Sequence, residues 1–219
     1  MRFAILTASV LLLISGSRDQ EQPSVRDAPV STQVAEGSDN AAEILAALTD
    51  PEKLDSLKGK RAATPRLRKS CYWLEAARRE GLEPAGLIEA AQRENGSHGT
   101  KRAELLKESL LRNRTILERL GCLDEAGMAK LRKGNAPTIT KGPYAGELAT
   151  GDHIIPRSVC PELDNKLFNL EFMPETLNQN KGAKVGDRQL QLARKWAKAG
   201  MLSKKGLEKV EGAFQKKTK

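Results

Sequence analysis

The stretch GDHIIPRSVCPELDNKLFNLEFMPETLNQNKGAKV, Gly151 to Val185, decides how this chain is read. It carries His153, one of two histidines in 219 residues, directly after Asp152. Asparagines recur behind it at 165, 169, 178 and 180, and Lys181 closes the run. The segments TIT and ELATGDHII favour extended structure, with the turn-prone KGPYAG between them. Pro156 and Pro161 make the next residues irregular, and FNLEF returns to an extended pattern. Pro174 then opens a short helix, PETLNQNK, which Gly182 would end. The predicted order is strand, loop, strand, short helix.

C-terminal to this stretch, DRQLQLARKWAKAG reads as an amphipathic helix. Leu190, Ala193 and Ala197 face inward, and Arg194, Lys195 and Lys198 face solvent. A Lys-rich tail, residues 201–219, completes the chain. The net charge of +9 is concentrated here. Residues 181–219 hold twelve Lys or Arg and three Asp or Glu, whereas the other 180 residues balance to zero. Such a surplus suits a polyanion such as nucleic acid, or an anionic membrane surface; a solvated helix face is the plainer alternative.

N-terminal to the stretch, residues 41–133 read as a helical bundle. AAEILAAL is a short apolar helix. TPRLRKSCYWLEAARREG has Thr64 as a cap, Pro65 at the first helical position and Gly81 as terminator. EPAGLIEAAQRENG is a third helix and DEAGMAKLRKG a short later one. The strongest pattern is TKRAELLKESLLRNRTILERLG, with Leu106, Leu110, Leu117 and Leu120 on one face, Thr100 as cap and Gly121 as stop. With only 4% aromatic residues, the core must be built from Leu, Ala and Ile. Tyr72 and Trp73 are expected to pack the bundle, and Trp196 to pack the last helix or meet a base.

Arg2, the apolar run FAILTASVLLLI and the small residues SGS make residues 1–17 a secretory signal peptide cleaved near Ser17, so the protein is expected to be exported, periplasmic or extracellular. An uncleaved anchor is the alternative. Residues 18–40, rich in Ser, Pro, Gln and acids, read as a disordered linker. Cys71, Cys122 and Cys160 form no C-x-x-C pair and support no structural zinc. Cys71 with Cys122 is the couple expected to pair in an oxidising compartment.

The motif DHIIPRS…FNLEFMPETLNQNKG resembles the HNH endonuclease family of ββα-metal nucleases. That pattern places an acidic residue and His before I-x-P, then Asn-Leu, then a His or Asn nine positions on, then Lys. Here those positions are Asp152, His153, Ile154 and Pro156, then Asn169-Leu170, Asn178 and Lys181. Asn178 stands where many members have histidine. The resemblance spans about 137–185 and implies a mainly α protein. An N-terminal helical bundle would precede an HNH-type ββα finger (134–200) and a basic C-terminal helix. It implies metal-dependent hydrolysis of DNA, with RNA as a second substrate, leaving a 5′-phosphate and a 3′-hydroxyl. It also gives Asn169 the task of tying down the loop and orienting His153.

The chemistry asks for the same residue types. Phosphodiester hydrolysis needs an activated water and neutralisation of charge on the departing oxygen. Imidazole is the side chain suited to accept water's proton near neutral pH, so His153 is the general base. Mg²⁺ or Mn²⁺ prefers hard oxygens, which Asp152 and Asn178 supply. Lys181 and Arg157 would grip phosphate, joined by Lys184, Arg188, Arg194 and Lys195. Neighbours on a strand point to opposite faces, so Asp152 and His153 serve one bond only where the strand twists or ends. Asn165 is a competing middle asparagine, ranked below Asn169 because Leu170 follows the latter. Cys160 and His98 are given no role. The alternatives are a catalytically inactive nucleic-acid-binding module of the same fold, and an envelope protein whose basic tail binds anionic lipid.

Overall fold

The computed structural model describes residues 30–57 and 62–216. The expected signal peptide and the first part of the expected linker lie outside the described residues. The fold is mainly helical with one small two-stranded antiparallel sheet. Helix α1 (Val30–Thr49) begins inside the expected linker, ahead of Ala41. It is followed by α2 (Pro51–Asp55), α3 (Thr64–Arg79), α4 (Pro84–Glu94), α5 (Lys101–Arg119) and α6 (Glu125–Arg132). Strands β1 (Ala149–His153) and β2 (Leu170–Pro174) and helix α7 (Glu175–Lys181) come next, then α8 (Asp187–Lys198) and α9 (Lys204–Gln215).

Local chemistry sets these boundaries. Thr100 caps α5, its hydroxyl accepting from the Ala103 N–H at 3.1 Å. The chain leaves that helix through Gly121, whose φ of 71° is open to glycine at little cost. Asp50 and Asp124 cap α2 and α6 in the same way. Thr64 does not cap α3: Ala63 takes that place without a side-chain bond, and the buried Thr64 hydroxyl has no partner.

Among the described residues two apolar cores result. One unites the bundle helices, including Leu67, Leu74, Leu110 and Leu117, with Ala149, Leu170 and Phe172 of the sheet. The other joins Ile154, Ile155, Leu163 and Phe168 of the β1–β2 loop to Ala193, Trp196, Leu202 and Val210. Leu202 and Val210 are buried, so residues 204–215 form a packed helix where a tail was expected. Trp196 meets Phe168 edge to face, ring centroids 5.0 Å apart, and its role is packing. Tyr72 and Trp73 contact each other against the first core. Cys71, Cys122 and Cys160 are separate buried thiols, so the expected Cys71–Cys122 bridge is absent, and burial pushes Cys122 up to about 12.

Helix α5 fixes the sheet to the bundle. A strand at a sheet edge exposes unpaired N–H and C=O groups, which cost free energy if buried unbonded. The fully buried Asn113 answers this for β2: its Nδ2 donates to Leu170 O and its Oδ1 accepts from Phe172 N–H, both at 2.9 Å. Ser109 Oγ donates to Leu167 O at 2.9 Å, extending the seam into the loop. Among the described residues, no helix is long and apolar enough to cross a membrane.

Candidate functional site

The site is assembled on β1, the loop after it, and α7. The strands pair antiparallel from Ala149↔Pro174 to His153↔Leu170. His153 is the last residue of β1, and the Ile154 N–H closes the hairpin mouth by donating to Asn169 O at 2.7 Å. The pleat sends Thr150 and Asp152 to one face and Gly151 and His153 to the other. Asp152 and Thr150 are half-buried beside α7, whereas His153 is buried against the loop.

On the α7 side, Asn178 and Lys181 lie three residues apart on the helix and meet successive same-face positions of β1. Asn178 Nδ2 donates to Thr150 Oγ1 at 2.9 Å, which leaves Asn178 Oδ1 as an available acceptor. Lys181 Nζ forms an ion pair with Asp152 and also donates to the His153 carbonyl. The lysine expected to hold phosphate therefore rests on the candidate metal ligand. Asn180 is exposed and takes no part.

On the loop side, His153 Nε2 lies 2.8 Å from the Asp164 carbonyl oxygen. A carbonyl only accepts, so Nε2 carries a proton, and in the neutral ring Nδ1 carries the free lone pair. Asp164 Oδ1 lies 3.0 Å from the same Nε2, yet it is buried and accepts no aligned hydrogen bond. Its other oxygen faces Arg157 Nη1 at 3.8 Å. Sequence reasoning passed over Asp164, which stands outside the spaced motif. Its one signal was a carboxylate inside a short loop that must fold back on His153.

Asn169 is fully buried and spans the loop. Its Oδ1 accepts from Ile155 N–H at 2.8 Å, and its Nδ2 donates to Ile155 O at 3.1 Å and Leu163 O at 3.2 Å. Every amide valence except one lone pair is spent on backbone, so this one side chain ties three backbone groups of the loop together. Asn165 is used elsewhere, donating to Leu57 O at 2.8 Å. Cys160 is buried, and burial with the neighbouring Glu162 carboxylate pushes its thiol up to about 11, which leaves it protonated and unreactive at neutral pH.

The remaining basic candidates are dispersed. Arg188 binds the buried Glu171, Nη1 to Oε2 at 2.7 Å, and Arg112 completes that pair from α5 at 3.1 Å. Glu171 stands directly opposite Asp152 in the sheet. Arg194 pairs with Glu211 at 3.2 Å and Lys195 with Glu108 at 2.6 Å on the outer surface of α8. Lys184 is exposed just past α7. Several of the charges that made the C-terminal region look like one basic patch are thus neutralised locally. His98 is exposed in its loop, far from this chemistry in sequence.

Among the described residues, no three His, Cys, Asp or Glu side chains converge as a metal site. The available donors are hard oxygens, the Asp152 carboxylate and Asn178 Oδ1, and this set suits Mg²⁺ or Mn²⁺. The spot already favours positive charge, since the Lys181 ammonium is drawn onto Asp152 and the His153 carbonyl. Compared with known protein families, characterised proteins and solved structures, the chain matches none.

Proposed function

We propose that the protein is an exported HNH-type endonuclease that hydrolyses phosphodiester bonds in DNA, with RNA as a second substrate, using a divalent metal. The observation that carries this reading is the pair of environments at the end of β1. Asp152 faces hard-donor neighbours on α7, and His153 is held by its Nε2–H with Nδ1 bare.

In this reading His153 Nδ1 takes a proton from water as the water oxygen attacks phosphorus and the bond to the 3′ oxygen breaks. General-base assistance of this kind is worth roughly 10²–10⁴-fold. The Nε2–H stays on the Asp164 carbonyl throughout, so the ring neither rotates nor exchanges roles. A bound divalent cation, held by Asp152 and Asn178, would supply Lewis-acid neutralisation of charge on the phosphate and the departing oxygen. Asn169 keeps the loop, and with it Asp164, at fixed distance from the ring. Lys181, released from Asp152 by the metal, would contact the phosphate, and Arg157 would join it from the loop.

The test is cleavage of plasmid and linear DNA with Mg²⁺, Mn²⁺ or EDTA, beside His153→Ala. Metal-dependent cutting in the parent that falls by roughly 10²–10⁴-fold in the variant is the expected result. A second reading, a module that binds nucleic acid without cutting, is favoured by one observation: Lys181 neutralises the candidate metal ligand. Salt-sensitive DNA binding with no cutting under any metal would select it over the nuclease.

A further inference from the structure

The least settled polar atom around His153 belongs to Asp164. Its Oδ1 is buried, lies 3.0 Å from Nε2, and accepts no hydrogen bond. A buried acceptor left without a donor is destabilising, so its location asks for a reason. The neighbouring carbonyl of the same residue, 2.8 Å from Nε2, already takes the ring proton. Two oxygens of one residue therefore converge on one ring nitrogen. Were the proton on Nδ1 instead, the bare Nε2 lone pair would face both oxygens, and three lone-pair atoms would repel at contact distance.

We infer that Asp164 is a positioning residue for His153: its carboxylate, added to its carbonyl, excludes the Nδ1–H tautomer and holds the ring with Nδ1 free. The catalytic consequence rests on the hydrolase reading above; the tautomer itself does not. The loop geometry supplies the rigidity this needs. Asp164 follows Leu163, whose carbonyl is gripped by Asn169, and its own N–H donates to Pro161 O at 3.1 Å. Oδ2 is drawn outward by Arg157 at 3.8 Å, which leaves Oδ1 turned to the ring. Oriented second partners of this type commonly carry roughly 10–100-fold of an activity without touching substrate.

The experiment is ¹⁵N NMR of the full chain at a pH where the ring is neutral, together with steady-state cleavage kinetics. Two histidines make the spectrum simple, and His153→Ala assigns the signals. The parent should show His153 as a single Nε2–H tautomer. In Asp164→Ala the retained carbonyl still favours Nε2–H, but the Nδ1–H form should become detectable beside it, and kcat should fall, up to roughly 10–100-fold, with KM little changed. Asp164→Asn covers a failure of the alanine variant to fold. Its amide can donate to Nε2 in competition with the carbonyl and should raise the Nδ1–H population above that of the alanine variant.

An unchanged tautomer in both variants would overturn the inference, whatever the parent cuts. A tautomer that shifts in the variants, beside a parent that never cuts under any metal, would uphold the positioning role and remove the hydrolase reading. Shifted tautomer with lost kcat supports both.

Discussion

Glu75 in the helical bundle and Asp164 in the β1–β2 loop are both carboxylates drawn among nitrogen donors, and they end in opposite states. Glu75 is saturated: Arg114 donates to Oε2 at 2.7 and 3.0 Å, Arg78 reaches both oxygens, and Arg79 adds a bond at 3.2 Å. Asp164 keeps a buried oxygen with no aligned donor, facing a histidine whose other nitrogen is bare. A saturated carboxylate has no lone pair left to act with and serves to join α3 to α5. An unsaturated one beside a proton-accepting ring costs stability where it stands, and such costs are retained where a site needs orientation.

The largest way to sharpen this contrast is Glu75→Gln. Burial by itself would raise the Glu75 carboxyl, but Arg78, Arg114 and Arg79 overcome it and hold it at about 2 against an ordinary 4.5. A carboxylate depressed in the folded state stabilises above its unfolded value, and that contribution is lost as pH falls from about 4.5 through about 2. The shift corresponds to stability on the order of 3 kcal/mol at neutral pH. Urea unfolding at a series of pH values should show the glutamine variant less stable by that order at pH 7. Its stability should fall less steeply than the parent's through the acid window. Cleavage by the folded fraction should not change, because Glu75 belongs to the bundle alone. A loss of cutting at full folding would make the two carboxylates alike and break the contrast.

The two regions also differ in how far the sequence disclosed them. The bundle was legible because leucines at helical spacing and capping residues such as Thr100 and Gly121 act locally, within a turn or two of chain. The strand–loop–strand–helix order was legible for the same reason, since Pro174 and Gly182 punctuate α7 from adjacent positions. What stayed hidden were contacts between distant segments. Asn113 gives no hint in its helix that it will cap the edge of β2, and Glu75 gives none that Arg114 will reach it across the bundle. The charge of the C-terminal region misled by the same route. Counting side chains cannot register that Glu171, Glu108 and Glu211 each take one of its cations. Leu202 and Val210 packed a segment that its lysines made resemble a tail.

A smaller effect tests whether the bundle merely carries the site or sets its geometry. Gly151 lies between Thr150 and Asp152, and a Cβ added there would stand 2.6 Å from Thr64 Cγ2 at the start of α3. Gly151→Ala should therefore push β1 away from α3 and cost about 1–3 kcal/mol as overpacking. Thr64→Ser removes the opposing methyl and should restore most of that loss, a coupling readable in a double-mutant cycle. If the two substitutions simply add, α3 does not support β1, and the bundle and the site are independent regions.

The smallest effects separate the charges themselves, and they apply the saturation argument to the surface. Lys195 is held by Glu108, whereas Lys184 stands exposed just past α7, on the chain that leads away from Lys181. Exposed pairs such as Lys195–Glu108 contribute about 0–1 kcal/mol to stability, so neither alanine variant should unfold the protein. Their difference should appear in the salt dependence of DNA binding, where every phosphate the protein neutralises adds about 0.9 to the steepness of log K against log salt. Lys184→Ala should make that slope shallower by about 0.9, and Lys195→Ala should leave it nearly unchanged. Equal reductions would mean that DNA draws Lys195 off Glu108, and that a neutralised cation on this surface is held in reserve rather than spent.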